Sequence, residues 1–67
     1  MEKEENIERA RQLIKEIEAA NYMNSAQTSE LFSLNNALFP DLKEFSKGCD
    51  DCRIRVYKRI KKLVENE

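Results

Sequence analysis

The 67 residues allow one domain with a marginal core, because a chain this short buries only about 60% of the surface its unfolded form exposes. One Gly, one Pro and no Trp argue against a turn-rich β protein, and a hydrophobic fraction of 40% argues against disorder. No apolar run approaches the roughly 20 residues of a membrane span, and a net charge of −1 with a pI near 5.5 stands against a broadly basic nucleic-acid binder.

The first element is expected as a helix over about 3–23. Ile7, Ala10, Leu13, Ile14, Ile17 and Ala20 recur at helical spacing, and glutamates in the first turn suit the positive end of the helix dipole. Asn21 falls inside this stripe, while Tyr22 and Met23 lie beyond it. A second helix is expected over about 25–39, carrying Leu31, Phe32, Leu34, Leu38 and Phe39 and stopping before Pro40. Asn24 with Gln27 three residues later forms a capping-box pattern, and Thr28 with Glu30 is an alternative start. Asn35 stands in the middle of the apolar face.

Asp41, with Glu44 three residues on, predicts a short third helix over about 41–47 with Leu42 and Phe45 pointing inward. Gly48 sits where a helix commonly ends in a positive-φ residue. The last helix is expected over about 50–64, with Asp50 as its N-cap. Cys49, Cys52, Val56, Ile60 and Leu63 share one side, and Tyr57 and Val64 widen it. Arg55, Lys58 and Lys62 line the opposite face, with Arg59 at its edge. Arg53 breaks this pattern toward the apolar side, where Glu44 or Asp50 would pair with it. Ile54 breaks it toward the charged side. The predicted fold class is an all-α small helical bundle with short connections.

The acidic start, Met1-Glu2-Lys3-Glu4-Glu5, has no apolar h-region behind it, so no secretory signal is read. The chain is expected in the cytoplasm with Cys49 and Cys52 reduced. Catalysis is not expected. There is no His, the commonest general base, and one Gly cannot build a phosphate loop. The acidic residues are accounted for by helix starts and solvated faces.

Three features carry chemistry. The pair Cys49 and Cys52 offers two thiolates, where zinc needs four ligands; a second copy, or an Asp50 or Asp51 oxygen, would have to complete the set. A redox disulfide is the second reading. The helix N-terminus lowers a thiol pKa, but Asp50 and Asp51 oppose the thiolate and no βαβ context is visible. The simplest reading makes both cysteines small core hydrophobes, with no cofactor. The basic face of Arg55, Lys58, Arg59 and Lys62 would meet solvent, an acidic protein surface or phosphates. Ile54, Tyr22 and Met23 would form an exposed apolar patch if the fold brings them together. Asn21 and Asn35 are expected to fix helix register by bonding each other.

The stretch Leu34-Asn35-Asn36, Leu38-Phe39-Pro40, Glu44-Phe45-Ser46-Lys47, Cys49-x-x-Cys52-Arg53 and Val56-Tyr57-Lys58-Arg59 resembles small accessory proteins of tailed bacteriophages. It covers less than the last half of the chain. The resemblance implies a phage product acting in the bacterial cytoplasm or the virion, and it carries no catalytic residue.

The expected function is therefore a non-enzymatic protein–protein interaction module, binding a host or virion protein or a second copy of itself. The partner-binding residues are Arg53, Ile54, Arg55, Lys58, Arg59 and Lys62. The alternative is a small nucleic-acid-binding regulator using the same basic face.

Overall fold

Three amphipathic helices cannot each hide an apolar stripe alone, and here they hide them in one another. The computed structural model describes residues 2–66: α1 (Glu2–Ala20), α2 (Ser25–Leu38), a 3-10 turn (Pro40–Leu42) and α3 (Asp50–Glu65). Each helix packs against the other two. Ala10, Leu13, Ile14 and Ile17 of α1 meet Leu31, Phe32 and Leu34 of α2 and Val56 and Ile60 of α3 in a single buried cluster. Its radius of gyration, 10.9 Å, matches the roughly 11 Å of a compact chain of this length. The all-helical bundle is therefore as expected, and no helix among the described residues is long and apolar enough to cross a membrane.

Helix α1 stops at Ala20, three residues before the expected end. Asn21 takes the left-handed conformation, φ 54°. Its N–H donates to the Glu18 carbonyl and the Tyr22 N–H donates to the Ile17 carbonyl, each at 3.3 Å. This is the Schellman stop, for which Asn is the usual substitute when Gly is missing. Asn21 is exposed, not a register-fixing partner of Asn35, and Ala20 is exposed as well. Helix α2 begins with the expected capping box. Asn24 Oδ1 accepts the Gln27 N–H at 2.8 Å, and Gln27 Oε1 accepts the Asn24 N–H at 3.0 Å. Thr28 is not a helix start; it is buried, and its hydroxyl donates to the Asn24 carbonyl at 2.9 Å.

The expected helix over 41–47 is replaced by one 3-10 turn and a non-helical connector. Its backbone groups bond side chains of the neighbouring helices. The Leu42 carbonyl accepts from Asn35 Nδ2 at 3.0 Å and Arg59 Nη1 at 3.2 Å. Asn36 receives the Glu44 N–H on its Oδ1 at 2.8 Å and donates its Nδ2 to the Glu44 carbonyl at 3.0 Å. Groups satisfied in this way are not available to an i→i−4 ladder, which is how Asn side chains compete with helix. Leu42 and Phe45 consequently face outward, 50% and 73% exposed, not into the core. Asp41 caps nothing: Phe39 holds the N-cap position of the 3-10 turn, with no side-chain cap bond. Gly48 does not adopt positive φ; it sits in a turn closed by the Cys49 N–H on the Ser46 carbonyl at 3.0 Å. The N-cap of α3 is Cys49, one residue before the expected Asp50.

These two boundaries are measurable. Asn24→Ala removes the capping box and is expected to lower stability by about 1 kcal/mol. At position 21, Asn21→Gly is tolerated, whereas Asn21→Val costs about 1–2 kcal/mol because a β-branched residue resists the left-handed region. Urea denaturation followed by circular dichroism reads both, and equal midpoints for the Gly and Val variants would contradict the left-handed stop.

Candidate functional site: an apolar groove beside a charge-locked helix

The stop at Asn21 has a consequence for the surface. A Schellman turn brings the residue after the left-handed position back over the helix's last turn, so Tyr22 lies beside Ile17. The first turns of α3 supply the opposite wall. Ile17, Tyr22, Met23, Ile54 and Tyr57, with Glu18, Asn21, Asp50 and Arg53 among them, line an open groove of ≈ 900 Å³. Tyr22 is 66% exposed and Ile54 is 51% exposed, while Met23 and Tyr57 are partly buried and join the floor to the core. The three apolar residues that break the sequence pattern, Tyr22, Met23 and Ile54, thus come together in one groove.

Ion pairs frame it. Arg53 pairs with Asp50 one turn earlier, so of its two candidate partners it takes Asp50 and not Glu44. On the far side Glu18 accepts from Lys61 at 2.6 Å and from the Tyr57 hydroxyl at 3.2 Å. The Lys61 ammonium also lies 5.9 Å from the Tyr57 ring centroid. The hydrogen bond from Lys61, helped by that of Tyr57, holds the Glu18 carboxyl below its usual range. Partial burial, with Glu18 beside it, pushes the Tyr57 phenol up. This clasp ties α1 to α3 as the forked pair of Arg9 with Glu30 ties α1 to α2.

The rest of α3 is less open than its sequence implies. Arg59 is turned inward: Nη1 donates to Asn35 Oδ1 at 2.7 Å and to the Leu42 carbonyl, and Nη2 lies 3.8 Å from Glu44. Its guanidinium also stands 5.9 Å from the Phe39 ring centroid. Arg55 donates to Glu44 at 3.0 Å. Lys58 and Lys62 are exposed and have no ion-pair partner among the described residues. Of the six side chains expected to bind a partner, Arg53 and Ile54 line the groove, Lys58 and Lys62 remain outward cations, and Arg55 and Arg59 hold the connector.

The cysteines are free thiols, each half-buried. Cys49 Sγ accepts the Cys52 N–H at 3.3 Å across the first turn of α3. Contact with the Cys52 thiol, together with that N–H, pulls the Cys49 thiol below its usual range, and contact with the Cys49 sulfur pushes Cys52 up. Cys52 packs against the core. Among the described residues no three of Cys, Asp and Glu are gathered as a metal cluster.

Comparison with protein-family models, with curated proteins and with solved structures finds no match. Function is therefore read from the surface itself.

The Asn35 arrangement and the Glu18 clasp each give a prediction. Asn35 is fully buried, so Asn35→Ala opens a cavity and leaves the Arg59 guanidinium only the Leu42 carbonyl and Glu44 as partners, and is expected to cost about 2–3 kcal/mol. Asn36→Ala frees the Glu44 N–H and carbonyl and one N–H of the Asn35 amide but leaves the Asn35 bonds to Leu42 and Arg59 in place, and should cost about 1 kcal/mol. Denaturation midpoints compare them; equal losses would contradict the Asn35 role. The ionised Glu18 is favoured by the fold, so its contribution is present above the ordinary carboxylate pKa of about 4.3 and is lost as pH falls through the lower folded value. Melting curves between neutral and acid pH are expected to fall less steeply for Glu18→Gln than for the unaltered chain.

Proposed function

We propose that the chain is a non-enzymatic protein–protein interaction module whose docking surface is the groove between the end of α1 and the start of α3. The observation that supports this is the meeting of Tyr22 and Ile54, both more than half exposed, over an apolar floor. Exposed apolar groups on a concave surface with a charged rim are the usual anatomy of an interface. Phe45 is more exposed but lines neither wall of the groove.

The occupant best matched to the groove is a second copy of the chain. In a two-fold contact residue i meets j and j meets i. Two α3 helices crossing antiparallel at Ile54 set the residue four before it against the residue four after it. Asp50 then faces Lys58 of the other copy, and Lys58 faces that copy's Asp50, so the axis carries two opposite-charge pairs. The small core favours this reading, since chains of this size often gain stability by self-association. The likeness to small phage accessory proteins fits a binding role, with a host or virion protein as the competing occupant. A nucleic-acid partner is supported by Lys58 and Lys62 alone, because Arg55 and Arg59 are engaged with Glu44 and Asn35.

Sedimentation velocity across a concentration series tests this. The unaltered chain is expected to self-associate. Ile54→Glu is expected to weaken the association at least ten-fold, about 1.4 kcal/mol, with its helical circular dichroism unchanged. Lys58→Glu should weaken it through like charge opposite Asp50. A monomer at every concentration, or an Ile54→Glu variant that associates as well as the original, overturns the reading.

A further inference from the structure

We propose that Cys49 and Cys52 are a redox-active dithiol, in which Cys49 attacks the disulfide of a low-molecular-weight thiol and Cys52 resolves the product. Geometry supplies the case. Cys49 is the N-cap of a 16-residue helix, with its Sγ turned over the first turn to accept the Cys52 N–H. Its carbonyl accepts the Arg53 N–H at 3.0 Å, so the residue is locked at the helix start. Sulfur is a weak acceptor, and Ser, Asn and Asp cap helices far better. Capping alone therefore does not account for a cysteine here.

The two cysteines differ in what they touch: both are half-buried, but Cys52 packs against the core, whereas Cys49 lies outside the core and the residues packed on it. Before Cys49 stands Gly48, and a side-chain carbon placed there would meet nothing within 4 Å. Space for an approaching disulfide is thus left on the connector side. Asp50 is paired with Arg53, and the charge of Asp51, which opposes the Cys49 thiolate, is outweighed by the Cys52 thiol and N–H contacts.

The exchange proceeds in two displacements. The Cys49 thiolate bonds one sulfur of the external disulfide, whose S–S bond breaks, and the other sulfur leaves as a thiolate that takes a proton from water. Cys52 then loses its proton and its sulfur bonds Cys49, releasing the second external thiolate. The dithiol is oxidised by two electrons to an internal disulfide, and one external disulfide is reduced to two thiols.

Oxidised glutathione is the probe, with peptide mass spectrometry as the readout on the unaltered chain, Cys49→Ser and Cys52→Ser. Serine preserves the cap, and circular dichroism checks that both variants fold. The unaltered chain is expected to lose two hydrogens and retain no glutathione. Cys52→Ser should accumulate a glutathione adduct on Cys49, and Cys49→Ser should form its adduct at least about ten-fold more slowly. Two glutathiones on the unaltered chain, equal rates in the two variants, or zinc purified with the chain and shielding both thiols would each overturn the proposal.

Discussion

The amide of Asn35 holds this fold in its particular form. It is fully buried in the face of α2, and every polar atom of its side chain is used: Nδ2 donates to the Leu42 carbonyl and to Asn36, and Oδ1 accepts from Arg59. Burying an amide without partners costs several kcal/mol by transfer, so such a residue persists only where its bonds are complete. Two of the three are completed by groups far along the chain, 7 and 24 residues away, and the third by the adjacent Asn36. The bond to Leu42 sets the path of the connector, and the bond to Arg59 sets the rotation of α3 about its axis. Val56 and Ile60 in the core and the Glu18 clasp hold α3 on its other sides, and the Arg59 bond adds a directional polar tie to that packing.

That rotation decides which surface is offered outward. With Arg59 drawn against Asn35 and Phe39, and Arg55 drawn to Glu44, the middle of the basic face becomes a scaffold for the connector. The opposite edge of the same helix, carrying Ile54, is left over the end of α1. A partly buried guanidinium is stable there because Glu44, two amide or carbonyl oxygens and an aromatic ring replace the water it loses. Charge that reads as a binding face in one dimension is thus largely internal bookkeeping in three, and the exposed apolar residues gain functional weight accordingly.

The sequence made legible what depends on local periodicity and local caps. Ile7 to Ile17 and Val56 to Ile60 each predict their buried faces, and Asn24 with Gln27 marks the start of α2, because those signals are complete within one or two turns. The connector was illegible for the opposite reason. Asp41 and Glu44 carry a sound capping pattern, yet the donors and acceptors of residues 42–44 are taken by Asn35, Asn36 and Arg59, which lie outside any local window. The groove was half legible. Tyr22, Met23 and Ile54 stood out as misfits, but their meeting required the left-handed turn at Asn21, and Asn inside an apolar stripe reads equally well as a buried polar residue. A Tyr following such a turn packs back on the residue five earlier; that relation between Ile17 and Tyr22 was the available signal.

One turn of α3 serves both proposed activities. Asp50, Arg53 and Ile54 line the groove, and Cys49 and Cys52 bracket Asp50 and directly precede Arg53 and Ile54, with the Cys49 sulfur bonded to the Cys52 N–H. A disulfide between them would exchange that sulfur's role as a thiol cap for a covalent tie across the turn. The peptide units carrying Asp50 and Asp51 lie inside that tie, and Asp50 is the carboxylate that the antiparallel pairing sets against Lys58. Oxidation would therefore act on the acidic half of the proposed interface, Asp50, while leaving its basic half, Lys58, untouched. A symmetric contact uses each half twice, so a shift of one turn is felt at both ends of the pair.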